Sequence, residues 1–357
     1  MKYKFSVITP VRNRENLLKR VGKSLNNQTF KNFEWLCGDD GSTDETMNVA
    51  LELFKKYSLN GILVSFNKHI GKSITDNILL SSSTGDYILW CDSDDFFHNR
   101  ALEIVNLIIE NNVNSTYMPI IILPTDRIES FSKLNSIDIN KNFNTLKNIV
   151  KIDKLKNAPK NKDWMMVIPR SYIENLSFPE VDFYIPEYSM LRHLQNLPTI
   201  FLDIVLKYGD YLPSGITKGN GMIKYPRGLW FESSLDIIYN KRCENTNNFR
   251  IFIKLSKNFR LAFLANIRSS VIFQLAKYLN INKIIFLFAI FSASIFYIKD
   301  ILFKKIERTH ISYDLNTQNF TSTHIVINNG QLINKSKISH NRITSFDDPI
   351  DFIRNFI

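Results

Sequence analysis

One apolar run in this sequence ends directly in a cluster of acids. Tyr87–Cys91 reads YILWC, and Asp92-Ser93-Asp94-Asp95 follows at once. Carboxylates on alternate residues after a buried strand add nothing to core packing. They form a hard, acceptor-rich set that suits Mg2+ or Mn2+ held jointly with phosphate oxygens. An ion held in this way neutralises a departing diphosphate without any proton transfer. The same four residues also read as an acidic turn in which Asp95 caps the next helix. Both readings stand on these residues alone.

Two further loops carry polar chemistry. Asp39-Asp40-Gly41-Ser42-Thr43-Asp44 places a glycine where a tight turn is needed, behind two acids that can accept from a base N–H or a ribose hydroxyl. Asp44 reads as the cap of the following helix. Thr9-Pro10-Val11-Arg12-Asn13-Arg14 offers Arg12 and Arg14 to phosphates, although arginines on a loop are also commonly just solvated. Gly71-Lys72 opens a helix, where backbone N–H groups and a lysine face an anion favourably. The first strand-to-helix turn carries neither GxGxxG nor GxxxxGK[ST], which disfavours dinucleotide and P-loop sites.

The elements that must position these loops follow from periodicity. Lys4–Thr9, Phe33–Gly38, Gly61–Phe66 and Tyr87–Cys91 are short apolar runs that read as strands, the first closed by Pro10. Glu15–Asn27, Asp44–Tyr57, Lys72–Ser83 and Asn99–Asn111 have apolar residues at helical spacing. A β-α-β-α rhythm with short loops predicts a mostly parallel sheet covered on both faces. Ligands of such sheets sit at the carboxyl ends of the strands, where all three polar loops fall. Further on, Met118–Leu123, Trp164–Pro169 and Thr199–Gly209 read as strands and Pro186–Gln195 as a helix. Asn135–Lys162 reads as a polar surface excursion.

Composition narrows the class. The 357 residues carry 45 Lys+Arg against 34 Asp+Glu, a net of +11, with 44% apolar and 22% charged side chains. That excludes disordered and fibrous chains and leaves room for two domains or one with an extension. Three cysteines far apart make neither a metal cluster nor a disulfide framework, and suggest a reducing compartment. The first apolar run stops at Thr9-Pro10, so it makes no signal-peptide core. Met1–Glu110 holds 13 basic and 14 acidic residues. Lys257–Arg308 holds 9 basic residues against Asp300 and Glu307. The surplus therefore belongs to a late segment.

The strings FSVITPVRNR, FEWLCGDDGSTDET and NKHIGKSITDNILLSSSTGDYILWCDSDD, in that order, resemble the family 2 glycosyltransferases of GT-A fold over about residues 3–112. The resemblance implies a Rossmann-like α/β sheet, a UDP- or GDP-sugar donor, a divalent metal and inversion at the anomeric carbon. It implies that Thr9, Val11 and Asp39 or Asp40 line the nucleoside pocket and that Lys72 lies in the region that touches the nucleotide. Arg12, Arg14, Asp92 and Ser93 then face the donor, Asp92 on its ribose or metal side, and Asp94 is a metal ligand.

An inverting transfer needs a carboxylate that takes the acceptor hydroxyl proton opposite the leaving diphosphate. Family members commonly place it in an E-D pair heading a helix. This chain has Pro186-Glu187-Tyr188 instead, with Ser214-Gly215-Ile216-Thr217 further on, and resembles a subgroup with such blocks. Glu187 is the expected base, and Glu180 and Asp182 remain alternatives of the right type. His193 reads as packing or surface. The acceptor implied is a glycan, lipid-linked or growing on the cell surface.

Ile284–Ile298 is 15 residues without a charge, bracketed by Lys283 and Lys299 and preceded by the amphipathic Leu261–Leu279. It is short for a span of about 20 residues. One reading is a pair of helices lying on an anionic membrane, which would put the protein on the inner, cytoplasmic face. The other is a helical hairpin packed on the catalytic domain or on a second copy, as in a homodimer. Nucleic acid fits poorly, because no stacking platform interleaves the basic residues. Asn329-Gly330 between apolar runs reads as a hairpin. The expected organisation is a donor-binding half (1–112), an acceptor-binding half (113–228), a basic helical extension (229–310) and a tail (311–357). The rivals are a nucleotidyltransferase, for which the phosphate loop is missing, and a non-catalytic sugar-nucleotide or scaffold protein.

Overall fold

The computed structural model describes residues 3–112, 118–127, 152–157, 163–176, 178, 194–209, 226–243, 248–303 and 320–340. Two compact units emerge. The first comprises residues 1–177, 190–215 and 319–341, and the second residues 178–189, 216–318 and 342–357.

The first unit is built on β1 (Phe5–Val11), α1 (Glu15–Asn26), β2 (Phe33–Asp39), α2 (Thr46–Lys56), β3 (Gly61–Phe66), α3 (Lys72–Ser82) and β4 (Tyr87–Trp90). These strands lie in the order β3-β2-β1-β4, all parallel. Every residue of β1 and β2 is buried, as a strand covered on both faces requires. The chain reverses its winding between β1 and β4. That switch point leaves a crevice at the carboxyl ends of these two strands.

Beyond the parallel centre the sheet is mixed. β8 (Trp164–Pro169) pairs antiparallel with β4, and β6 (Ile120–Arg127) antiparallel with β8. β9 (Pro198–Phe201) and β10 (Lys207–Gly209) run parallel to β6. β7 (Ile152–Lys154) pairs with β9, and β5 (Asp95–Phe97) with β10, both antiparallel. After β5, α4 (Ala101–Asn112) packs Leu102 and Val105 into the core.

Several boundaries differ from those the sequence predicts. β1 runs through Pro10 to Val11. The proline nitrogen faces the side of β4, whose pairing with β1 ends at Ile8↔Trp90, so no ladder bond is lost. The single strand expected over Thr199–Gly209 is two short ones, separated by residues 202–206. At the far end, β11 (Phe320–Asn328) and β12 (Gln331–His340) form the expected hairpin, with Asn329 and Gly330 at φ 46° and 74°. β11 adds antiparallel to β3 from Ser322↔Phe66 to Ile327↔Gly61 and lengthens the sheet.

The amino ends of the strands are tied by one buried acid. Glu34 accepts from Ser6 Oγ (2.6 Å), Thr84 N (2.6 Å), Thr84 Oγ1 (2.9 Å) and Gly85 N (3.2 Å). It joins β2, β1 and the loop entering β4, far from the crevice.

The second unit is helical, with α5 (Pro226–Cys243), α6 (Asn248–Leu264), α7 (Ser269–Tyr278) and α8 (Lys283–Phe303). Its core gathers Trp230, Leu255, Phe259, Leu275, Phe286 and Ala289. The amphipathic stretch Leu261–Leu279 is broken rather than continuous. Asn266 takes φ 53°, and Ile267 N donates to Ala262 O at 2.9 Å, a helix-stopping arrangement. Among the described residues no helix is long and apolar enough to cross a membrane.

Candidate active site

The loops after β1 and β2 are clasped together. Asn13, at φ 50°, donates its N–H to Ser42 Oγ (2.9 Å) and accepts from Thr43 N on Oδ1 (2.8 Å). Arg14 N donates to Thr46 Oγ1 (2.9 Å), and Asp40 N donates to Val11 O (2.9 Å). The arginine side chains are placed differently from each other. Arg12 is exposed, whereas Arg14 Nη1 donates to Asn13 O at 3.2 Å.

Asp39 and Asp40 have separate tasks. Asp40 accepts from Ile70 N (2.6 Å) and Gly71 N (3.0 Å) and pairs with His69 Nδ1 (2.8 Å). It binds the turn before α3 onto the second loop. Gly41 serves the same junction: at φ 63°, a Cβ there would stand 2.2 Å from the carbonyl carbon of Lys68. Asp39 accepts from Ser42 N (3.2 Å) and Ser65 Oγ (3.4 Å), and burial raises its pKa above the ordinary carboxylate value. Thr9 lies wholly inside the sheet, where its Oγ1 accepts from Trp35 Nε1 at 3.0 Å, and Val11 is buried beside the crevice. The Thr9 side chain therefore supports this corner from below the rim.

The acidic turn after β4 is positioned residue by residue. Asp95 N donates to Asp92 O (2.9 Å), closing the turn. The Asp95 carboxylate is held by Lys207 Nζ at 2.8 Å, both groups nearly buried, which ties the turn to β10. Asp95 thus anchors the turn instead of capping a helix: it starts β5, and α4 begins only at Ala101. Arg20 of α1 donates from Nη2 to Asp94 O (2.9 Å), with its guanidinium 5.2 Å from the Phe96 ring centre. Asp92, Ser93 and Asp94 form the half-buried tip.

Lys72 reaches this tip. Its Nζ lies 3.5 Å from Asp92 Oδ1 and 3.0 Å from Asp76 Oδ2, one helical turn on. Asp76 is fully enclosed, and its other oxygen accepts from Trp90 Nε1 at 3.2 Å. Burial lifts the Asp76 pKa to about 6, with Lys72 opposing the rise and Asp92 adding to it. Asp94 is also raised to about 6, first by burial and then by Asp92 and Asp95.

These facts decide how well a divalent ion suits the turn. Among the described residues no group of three or more His, Cys, Asp or Glu could hold a metal by itself. Asp92 and Asp94 are nevertheless two hard oxygen donors on one tip, crowded by like charge that a cation would relieve. An ion completing its shell with phosphate oxygens and water fits that donor set. Glu187, Glu180, Asp182, His193 and the Ser214–Thr217 block lie outside the described residues. Four contributors escape a linear reading: Asp76, Trp90, Arg20 and Lys207. Only Asp76 leaves a signal, its spacing of four from Lys72.

The sequence profile described as Glycosyl transferase family 2 matches residues 6–193. The chain is 25% identical over 273 residues to the GalNAc(5)-diNAcBac-PP-undecaprenol beta-1,3-glucosyltransferase of Campylobacter jejuni, covering 73% of this chain and 86% of that one. It is 34% identical over 101 residues to the poly(ribitol-phosphate) beta-glucosyltransferase of Bacillus spizizenii, a match spanning 28% of this chain and 16% of that relative. Residues 1–349 of S. aureus TarS, solved with UDP-GlcNAc, superpose with a TM-score of 0.52 at 18% identity, over 73% of this chain and 72% of that one. That likeness concerns the fold.

Proposed function

The chain belongs to glycosyl transferase family 2, with the GT-A fold, and from that premise we propose an inverting, metal-assisted transfer of a sugar from a UDP- or GDP-sugar to a glycan hydroxyl. The observation that carries this reading is the meeting of Lys72 with the Asp92–Asp94 tip at the switch point of the parallel sheet. Cation and carboxylates together suit a diphosphate, whose charge must be stabilised as it leaves.

Each residue then has a task. Asp39 accepts from the base or ribose, since the Asp40 carboxylate is committed to the turn before α3. Val11 and the Asn13–Ser42 clasp wall the nucleoside side. Lys72, steadied by Asp76, meets the diphosphate, and Arg12 and Arg14 lie on the loop that borders it. Asp92 and Asp94 would hold Mg2+ or Mn2+, which when bound supplies positive charge to the leaving group. Glu187 accepts the acceptor hydroxyl proton, and attack from the face opposite the diphosphate inverts the anomeric carbon.

The acceptor we propose is a lipid-linked glycan of a cell-surface polysaccharide, made by a protein peripheral on the inner face of the membrane. The undecaprenol-linked saccharide in the name of the Campylobacter relative supports that class. A direct test combines a panel of nucleoside diphosphate sugars with Glu187→Gln. The variant is expected to bind the same donor as the parent and to lose transfer by at least about a hundredfold. Retained transfer in Glu187→Gln, with loss in Glu180→Gln or Asp182→Asn, would move the base.

A further inference from the structure

Helix α8 has two apolar faces, and the helical unit covers only one. Phe286, Ala289 and Ala293 are buried in the core of that unit. On the other side Ile284, Leu287, Phe288, Phe291, Ile295 and Ile298 are each 52–66% exposed. Their spacing of three, one, three, four and three residues keeps them on one helical stripe. Phe249 and Ile253 of α6 and Phe273 of α7 are exposed as well. A soluble surface rarely leaves such a row bare without a use for it.

The charge around the stripe says what would cover it. Residues 248–298 hold seven Lys and Arg and not one Asp or Glu. Arg250, Lys257, Arg268, Lys277 and Lys283 among them are exposed. Large aliphatic and aromatic groups on a strongly cationic stretch of chain, with Lys254 offset by Asp236 of α5 and Asp300 following Ile298, match the acyl boundary and headgroups of an anionic leaflet. A second copy matches less well, because a two-fold contact would set these cationic surfaces against each other.

We infer that the 284–298 stripe of α8 is the membrane-docking surface, lying in the plane of an anionic bilayer with Lys283 and the cations of α6 and α7 at headgroup level. The inference deepens the peripheral placement of the proposed reaction but does not depend on its chemistry, because vesicle binding is read without any sugar transfer.

The test is co-sedimentation of the full chain with vesicles of phosphatidylcholine alone or with added phosphatidylglycerol. The parent is expected to sediment with the anionic vesicles only. Phe288→Glu with Phe291→Glu, at exposed positions, should reduce that binding at least about tenfold while donor-induced thermal stabilisation stays intact. Lys283→Glu should reduce it by on the order of thirtyfold, as a two-unit charge change beside an anionic leaflet predicts. Equal binding by parent and both variants would overturn the inference. So would a parent that ignores vesicles and forms a dimer dispersed by Phe291→Glu. If docking holds while Glu187→Gln still transfers sugar, only the catalytic reading fails.

Discussion

Two carboxylate sites of the same sheet, one at each end of its strands, are built in opposite ways. At the amino end Glu34 is buried and receives four hydrogen bonds from Ser6, Thr84 and Gly85. At the carboxyl end Asp94 sits beside Asp92 and Asp95, and its pKa rises to about 6 from burial and that crowding. A satisfied buried acid holds the fold, whereas a crowded acid favours whatever cation arrives. Lys207 makes the contrast sharper still, since its ammonium turns Asp95, one residue on, into an anchor of the first kind.

Exchanging the two sites' carboxylates for alanine should therefore separate function from stability. Asp94→Ala is expected to lower transfer by at least about a hundredfold, with a thermal midpoint equal to or above the parent's. Glu34→Ala is expected to cost about 3 kcal/mol or more in denaturant unfolding, because several buried donors lose their acceptor. Stability lost in Asp94→Ala, or kept in Glu34→Ala, would break the comparison.

Asp76 tests whether a buried acid can belong to both classes. It is enclosed like Glu34, yet its partner is the lysine that reaches the tip. As a positioning residue acting through Lys72, Asp76→Asn is expected to lower kcat/KM for the donor about tenfold, with kcat falling in proportion. Lys72→Ala should do the same, and the double variant should add little to either. Unchanged kcat/KM with a lowered thermal midpoint, or full additivity, would assign Asp76 a purely structural part.

The smallest effect lies in pH. A carboxylate whose folded pKa is raised favours folding below its unfolded value, near 4, and that contribution is lost as pH rises through about 6. Metal-free Asp94→Asn, neutral at every pH, should then have a higher thermal midpoint than the parent at pH 7. The gap should close as both are taken toward pH 4. A gap that widens in acid would contradict the crowding of the tip.

Much of this was legible in the chain because strand ends and polar loops coincide. Short apolar runs followed by polar clusters, Arg and Asn in the first and Asp with Gly or Ser in the other two, locate the three loops, and parallel β-α units send all of them to one rim. Which acid does what was not legible. Asp39 and Asp40 are neighbours of identical type, and the partners His69, Ile70 and Gly71, about thirty residues away, separate them. Arg20 and Lys207 were invisible for the same reason, since each meets the acidic turn through tertiary packing. Thr9 reads as a polar residue near a strand end, yet the Trp35 indole takes its hydroxyl into the core. The split of α6 and α7 at Asn266 shows a local stop that amphipathic periodicity alone passes over.

The central claim, that the Asp92–Asp94 tip holds the donor's diphosphate through a divalent ion, has a direct measurement. Calorimetric titration of UDP and GDP into the parent and into Asp94→Asn, with Mn2+ and with a chelator, reads it without any acceptor. Mn2+ is expected to tighten one nucleotide at least about tenfold in the parent, a gain of about 1.4 kcal/mol, and to leave its affinity for Asp94→Asn unchanged. Equal affinities in both proteins, with or without the ion, would contradict it.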